Sequence, residues 1–359
     1  MAGIFGHLNI NDTERAFNVV QGQNLLWDAA QEYLARVSAE VDAVESIFIE
    51  KVTSDFKERY KLPGGGFLQR RNSDGSFGNV KAVGSWDVAY PLEDFGAAYG
   101  WNDVEIAYMT VRELSNHIET VSIQDVNTRR FELLKALLNN TQDTFLDQTG
   151  RGSLSIEPLA NGDAVVYPPV LGSSTEATED HYLESGYLAA NISDVNNPFP
   201  VIVDELEHHF GAPQGGSNII SWVSSTHRTV IEALTDFIEA DQKDVIPGTD
   251  VDRVTNLPSP LPGRVFGKVS GVWVAEWRSL PANYIVSVHA DNPKPLVKRV
   301  DPADTGLPQG LTLITEDEVF PFKESYVRHR FGLGAGNRLN GVIMELGVGG
   351  TYSIPSGYS

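Results

Sequence analysis

The side chains best suited to hold a metal or move protons are the histidines and carboxylates. They concentrate in two short stretches, Asp180-His181 and Glu207-His208-His209. Imidazole and carboxylate form the donor set of zinc-type sites, but the spacing is not H-E-x-x-H, and adjacent residues on a helix project about 100° apart. The simpler expectation is a pair of histidines at a helix C-terminus, facing the negative end of the dipole. Ser225-Thr226-His227 sets two hydroxyls beside a histidine without a G-x-S-x-G elbow, which reads as the first turn of a helix. Gly332-Leu333-Gly334-Ala335-Gly336-Asn337-Arg338 looks like a phosphate-cradling loop only on the surface. It lacks the following Lys-Ser/Thr, the sixth-position glycine and the acidic residue about 20 positions on, so a glycine turn between strands is expected. The 48 Asp and Glu residues offer many pairs for hydrolysis by two carboxylates, and none is singled out. The expectation is therefore a chain with no catalytic residue, no cofactor-binding residue and no metal ligand, and not an enzyme.

Composition points the same way. The chain has 359 residues with 41% hydrophobic and 21% charged side chains, the balance of a globular protein of one large or two smaller domains. Lys plus Arg number 27 against 48 Asp plus Glu, a net charge of -21 that repels a phosphate backbone and argues against a nucleic-acid binder held by counterion release. Residues 151–250 alone carry 3 basic and 16 acidic side chains, a net charge of -13. The absence of cysteine removes disulfides, thiolate zinc sites and thiol nucleophiles together. The start of the sequence has no basic cluster followed by an apolar run, and nowhere do eighteen apolar residues run together, so neither a signal peptide nor a membrane span is expected. The sequons at Asn11, Asn139 and Asn191 matter only for a secreted chain.

The elements that must position these residues follow from periodicity. Leu26, Ala30, Tyr33, Val37, Val41, Val44 and Phe48 recur at helical spacing and predict an amphipathic helix over Asn24 to Ile49. From Tyr60 to Gly100 glycines punctuate short apolar runs, and Asp74-Gly75 predicts the turn of a long projecting hairpin. Trp101 to Thr149 contains neither Gly nor Pro. Its polar stretch Ser122 to Asn127 is expected to divide two helices, the second a rod running to about Leu146 and on the order of 30 Å long. Asn197-Pro198 opens a helix stopped by Gly211, Asn218 to Val223 is a buried strand, and Ser224 or Ser225 caps a helix reaching Ile238. Val272 to Trp277 and Tyr284 to Val288 are strands joined by a turn. Without a βαβ rhythm the class is α+β.

This order of parts resembles the major capsid proteins of tailed bacteriophages, the Hong Kong 97 fold. The likeness covers nearly the whole chain. It includes the phrase His181-Tyr182-Leu183 leading to Asn196-Asn197-Pro198, and the run Phe331 to Val342 with its ending Tyr352-Ser353-Ile354-Pro355. The resemblance implies an N-terminal arm over 1–56 and an extended loop over 57–103, with its tip near Asn72 to Phe77. It further implies a peripheral domain with a spine helix over 104–190, an axial domain over 191–318 and a return to the peripheral domain over 319–359. The implied function is structural: self-assembly as pentamers and hexamers into an icosahedral phage head. Double-stranded DNA would be contents, not a specifically bound ligand, and no membrane would be involved.

The implied partners are other copies of the chain, a separate scaffolding protein, a portal and a decoration protein. The implied location is the virion, after assembly in host cytoplasm. One branch of the family crosslinks Lys to Asn, for which Lys81 with Asn337 or Asn340 would be the candidates. Crowding of the acidic stretch around a symmetry axis would make assembly sensitive to salt. The alternatives are a nanocompartment shell that encloses cargo and, from a different class, an acidic cytosolic hydrolase.

Overall fold

A computed structural model describes residues 20–61, 85–99, 109–148, 152–209, 218–240, 260–315 and 321–359, apart from 172, 174, 176, 323 and 324, together with 68, 70–73 and 75. In chain order the helices are α1 (Val20–Glu45), α2 (Val111–Leu138), α3 (Phe199–Glu207) and α4 (Arg228–Glu232). The strands before α3 are β1 (Ile49–Thr53), β2 (Lys57–Tyr60), β3 (Trp86–Ala89), β4 (Glu93–Tyr99), β5 (Asp143–Asp147), β6 (Gly152–Ile156) and β7 (Tyr182–Glu184). After it come β8 (Ile219–Val223), β9 (Ile238–Glu239), β10 (Arg264–Val269), β11 (Val272–Glu276), β12 (Tyr284–His289), β13 (Leu296–Arg299), β14 (Thr312–Thr315), β15 (Ser325–Ala335) and β16 (Val342–Glu345). The class is α+β, as the sequence indicates. No helix among the described residues is long and apolar enough to cross a membrane.

The chain divides into two compact units, each discontinuous in sequence. One comprises residues 1–43, 92–132 and 299–332; the other comprises 44–91, 133–298 and 333–359. In the first unit, Leu26, Ala30 and Leu34 of α1 pack with Val111, Leu114, Ile118 and Val121 of α2 and with Leu313 and Val327 of the strands. β15 pairs antiparallel with both β14 and β4. Gly96 is needed at this pairing, because a Cβ there would sit 2.6 Å from the Val327 carbonyl oxygen. Gln31 of α1 clamps the strand: its side chain donates to the Leu313 carbonyl at 2.6 Å and accepts from the Leu313 amide at 3.2 Å.

The long helix departs from expectation. α2 runs unbroken through Ser122 to Asn127 and ends at Leu138, 28 residues or about 42 Å long. The polar residues that suggested a break are accommodated inside it. Ser122 and Asp125 are buried, and the Asp125 carboxylate lies 2.6 Å from His329 Nδ1 on β15. The Thr120 and Thr128 hydroxyls donate to the carbonyls four residues earlier, the satisfied mid-helix state of a threonine. The true start is a reciprocal capping box: the Thr110 amide donates to Glu113 Oε2 at 2.8 Å and the Glu113 amide to Thr110 Oγ1 at 3.3 Å. Beyond Leu138 the Asn139 side chain accepts from the Thr141 amide, turning the chain into β5 where the rod was expected to continue.

The second unit is built on a seven-stranded mixed sheet, ordered β7-β16-β12-β8-β11-β10-β9. β8 pairs parallel with β11 and β7 parallel with β16, while the other neighbours are antiparallel. β8 and β12 are buried along their whole length. Their serines face each other, Ser221 Oγ to Ser287 Oγ at 2.7 Å, so the two buried hydroxyls satisfy one another. Strands β11 and β12 form as the pattern predicts, but they flank β8 and do not pair together. The helix expected to reach Ile238 stops at Glu232, and Ile238 lies in β9. Phe199, Ile202 and Leu206 of α3 join Ile219, Val223, Val272, Val274 and Ile285 in the core. A smaller cluster unites Tyr60, Trp86, Val88 and Tyr90 with Tyr167, Val297 and Leu339. α1 spans Val20–Glu45, a few residues earlier than the sequence suggests, because the apolar Phe48 and Ile49 leave the helix for a turn and β1.

Candidate functional site: a histidine–glutamate cluster beside helix α3

α3 begins just after Pro198, whose missing amide is no loss at a helix start. The helix delivers Glu205 on its last turn and His208 at its C-cap. The chain before β7 delivers Glu179 and His181 to the same place. Two overlapping donor groups result, Glu179–His208–His209 and His181–Glu205–His208. His209 Nε2 lies 3.3 Å from Glu179 Oε1, and His208 Nε2 lies 3.5 Å from Glu179 Oε2. On the other side, His181 Nε2 is 3.7 Å from Glu205 Oε1 and His208 Nδ1 is 4.0 Å from the same oxygen. The sequence-level view of two histidines at a helix end is correct as to position. His181, from the other stretch the sequence offered, does meet them; Glu179 and Glu205, just outside those stretches, converge on them as well.

Burial sets the charge states. His181 is fully buried, and desolvation pushes its pKa down to about 3; burial likewise brings His209 down to about 4. The His181 ring is fixed by its neighbour: Nδ1 lies 2.9 Å from the Gly341 carbonyl, which only accepts, so Nδ1 carries the proton and Nε2 presents a lone pair. Burial also raises the carboxyl pKa of Glu205 and of Glu207. Neutral imidazoles and carboxylates in one place are the chemistry of metal ligation.

The other sequence candidates resolve differently. His227 ends a single turn over Ser225–His227, as expected, and its Nε2 accepts from the Asn283 amide at 3.0 Å. That bond occupies the nitrogen a nucleophile's base would need. The glycine run is not a turn: Gly332 to Ala335 continue β15, and the bend follows over 336–340. Its glycines serve close packing, since a Cβ on Gly334 would lie 3.0 Å from the Ala89 carbonyl oxygen and one on Gly336 2.8 Å from Val297.

Arg338, fully buried, donates Nε to the Pro158 carbonyl at 2.6 Å, and Nη2 to Leu159 O at 3.1 Å and Asp163 Oδ2 at 2.7 Å. The motif is thus an internal lock. Asn337 and Asn340 are buried and donate to the Pro293 carbonyl, which removes them as crosslink acceptors on an accessible surface. Lys81, Asn11 and Gly211 lie outside the described residues. Gly75, at the expected hairpin tip, has φ +86° and its amide donates to Asn72 O at 3.0 Å, the geometry of a tight turn.

No protein-family model and no curated protein matches the sequence. Solved structures do. A chain of Mycobacterium phage Patience superposes with a TM-score of 0.63 at 19% identity, over 94% of this chain and 92% of that one. The mature capsid of bacteriophage PhiM1 (11% identity, 82% and 84% covered, TM-score 0.45) and the capsid of a native GTA particle (12%, 85% and 90%, 0.46) are looser likenesses. The chain shares the fold of the Patience phage chain, and its class is α+β, as the sequence suggests.

Proposed function

We propose that this chain is a major capsid protein of a tailed phage, a structural subunit whose copies close into an icosahedral head around double-stranded DNA. The observation that supports this reading is the fold correspondence with the Patience phage chain over more than nine-tenths of both chains. In this reading 1–56 is the arm, 57–103 the extended loop, 104–190 the peripheral domain, 191–318 the axial domain and 319–359 the return. The antiparallel pair β2–β3 suits the base of such a loop, with Lys57 opposite Ala89 and Tyr60 opposite Trp86. Ile123 and Phe131 on α2 are 61% and 41% exposed, apolar surface that a neighbouring copy would cover.

The protein's work in this reading is geometric. Each contact is modest, and closure of a shell multiplies contacts without any one of them being strong, which also permits misplaced subunits to leave. A scaffolding protein, a portal and a decoration protein are the further partners, and assembly takes place in host cytoplasm. The acidic stretch 151–250 would be screened by salt as copies gather. The test is sedimentation velocity of the purified chain across a series of salt concentrations and under crowding. Conversion of monomer or capsomer into a single large species supports the reading; a species that remains monomeric at every condition refutes it.

A further inference from the structure

We infer that the cluster at the C-terminal end of α3 binds a divalent transition-metal ion of zinc type, with Glu179, His208 and His209 as ligands. Donor spacing carries the argument. Zinc–nitrogen and zinc–oxygen bonds of about 2.0–2.1 Å place tetrahedral donors about 3.3–3.4 Å apart. The observed separations are 3.3 Å from Glu179 Oε1 to His209 Nε2 and 3.5 Å from Glu179 Oε2 to His208 Nε2. Each histidine therefore stands near ligand spacing from one oxygen of Glu179, and the three donor atoms lie within 4.8 Å of one another, close enough for an ion to draw them together.

The surroundings orient the ligands as metal sites require. His208 Nδ1 faces the Asp204 carbonyl at 3.2 Å, so that nitrogen holds the proton and Nε2 turns its lone pair toward Glu179. Behind His208 lies Glu205, and beyond it His181. The Nε2 of this fully buried ring has no hydrogen-bond partner and is aimed into the cluster. An unsatisfied lone pair inside a protein is costly, and this one stands 3.7 Å from Glu205 Oε1. A cleft of about 440 Å³ lined by Pro200, Val203, Asp204, Glu207 and His208 opens the cluster to solvent, with two carboxylates on its wall to attract a cation. Imidazole donors select zinc-type ions over magnesium. A bound ion would tie the segment before β7 to the end of α3, a cross-brace in a chain without cysteine.

The test uses the full chain stripped with EDTA and dialysed into metal-free buffer. It is titrated with zinc chloride by calorimetry, with magnesium chloride as the contrast, and its zinc content is measured after desalting. One zinc per chain with a dissociation constant in the micromolar range or below, no saturable magnesium binding, and an upward shift of the unfolding temperature with zinc are expected. His208→Gln and Glu179→Gln, both at partly exposed side chains, should each weaken zinc binding by about tenfold or more while leaving the far-ultraviolet spectrum unchanged. His117→Gln, on the exposed face of α2, should leave binding as it is. Absence of saturable zinc binding, or affinity in His208→Gln within about twofold of the parent chain, overturns the inference.

Discussion

Replacing Arg338 with methionine should destabilise the second unit by about 3 kcal/mol, because the buried guanidinium holds several backbone and side-chain acceptors at once. Four hydrogen bonds are lost, to Pro158 O, Leu159 O, Asn161 Oδ1 and Asp163 Oδ2, along with the stacking of the guanidinium over Tyr167 at 5.8 Å. Hydrogen bonds from a charged group contribute about 1.5–3 kcal/mol each, and they do not add fully when they share one side chain. Two effects reduce the sum: the desolvation cost of a buried cation disappears, and Asp163, 28% exposed, returns to water without leaving a stranded charge. Methionine fills the space of the aliphatic stem, so little cavity cost is added.

The assay is equilibrium urea unfolding followed by tryptophan fluorescence. Trp86 is a local reporter, because its Nε1 donates to the Gly336 carbonyl at 3.0 Å, two residues from Arg338. Thermal unfolding of the same variant should show the midpoint lowered by about 6–12 °C for a unit of this size. Arg338→Lys should lose most of the same stability, since one ammonium cannot serve acceptors arranged around a planar fork. A methionine variant within about 1 kcal/mol of the parent chain would refute the claim that this residue locks the segment after β15.

Three further outcomes are expected. His227 and His289 are both held below the usual 6.5 by burial, so the unfolded chain takes up protons that the folded chain does not. Their contribution is full above pH 6.5 and is lost as pH falls below it. Unfolding midpoints at pH 7 and pH 5 should therefore differ less in His227→Gln than in the parent, and an equal drop in both would contradict the assignment. Thr110→Ala removes one half of the capping box of α2 and should cost about 0.5–2 kcal/mol, read as a lower urea midpoint with an unchanged slope. Replacing residues 62–84 by a short linker between β2 and β3 should leave a folded, soluble subunit that no longer closes shells, checked by circular dichroism and electron microscopy of the same preparation; normal shells would overturn the loop assignment.

Much of the fold was legible because it rests on local periodicity. α1, α3 and the buried strand β8 stand within a few residues of where apolar spacing, Asn197-Pro198 and the run Asn218 to Val223 put them. The misreadings share a physical origin in contacts distant in sequence. Asp125 looks like a helix cap until His329, 204 residues on, is seen beside it. Gly334 and Gly336 look like a turn until the backbone of Ala89 and the side chain of Val297 are found against them. The pairing of β11 and β12 through β8 is likewise a matter of topology, invisible to a window of a dozen residues. For the histidine cluster, the sequence offered Asp180-His181 and Glu207-His208-His209 as neighbours in composition. The partners that matter, Glu179 and Glu205, stood one or two residues outside those stretches. A scan for acids flanking each histidine pair would have included them.

Electron microscopy of the assembled material tests most directly whether copies of this chain close into a shell, as proposed. Closed icosahedral particles tens of nanometres across are expected, with this fold repeated in pentamers and hexamers in their reconstruction. A field of uniform single chains, persisting at high protein concentration, raised salt and crowding, would contradict it.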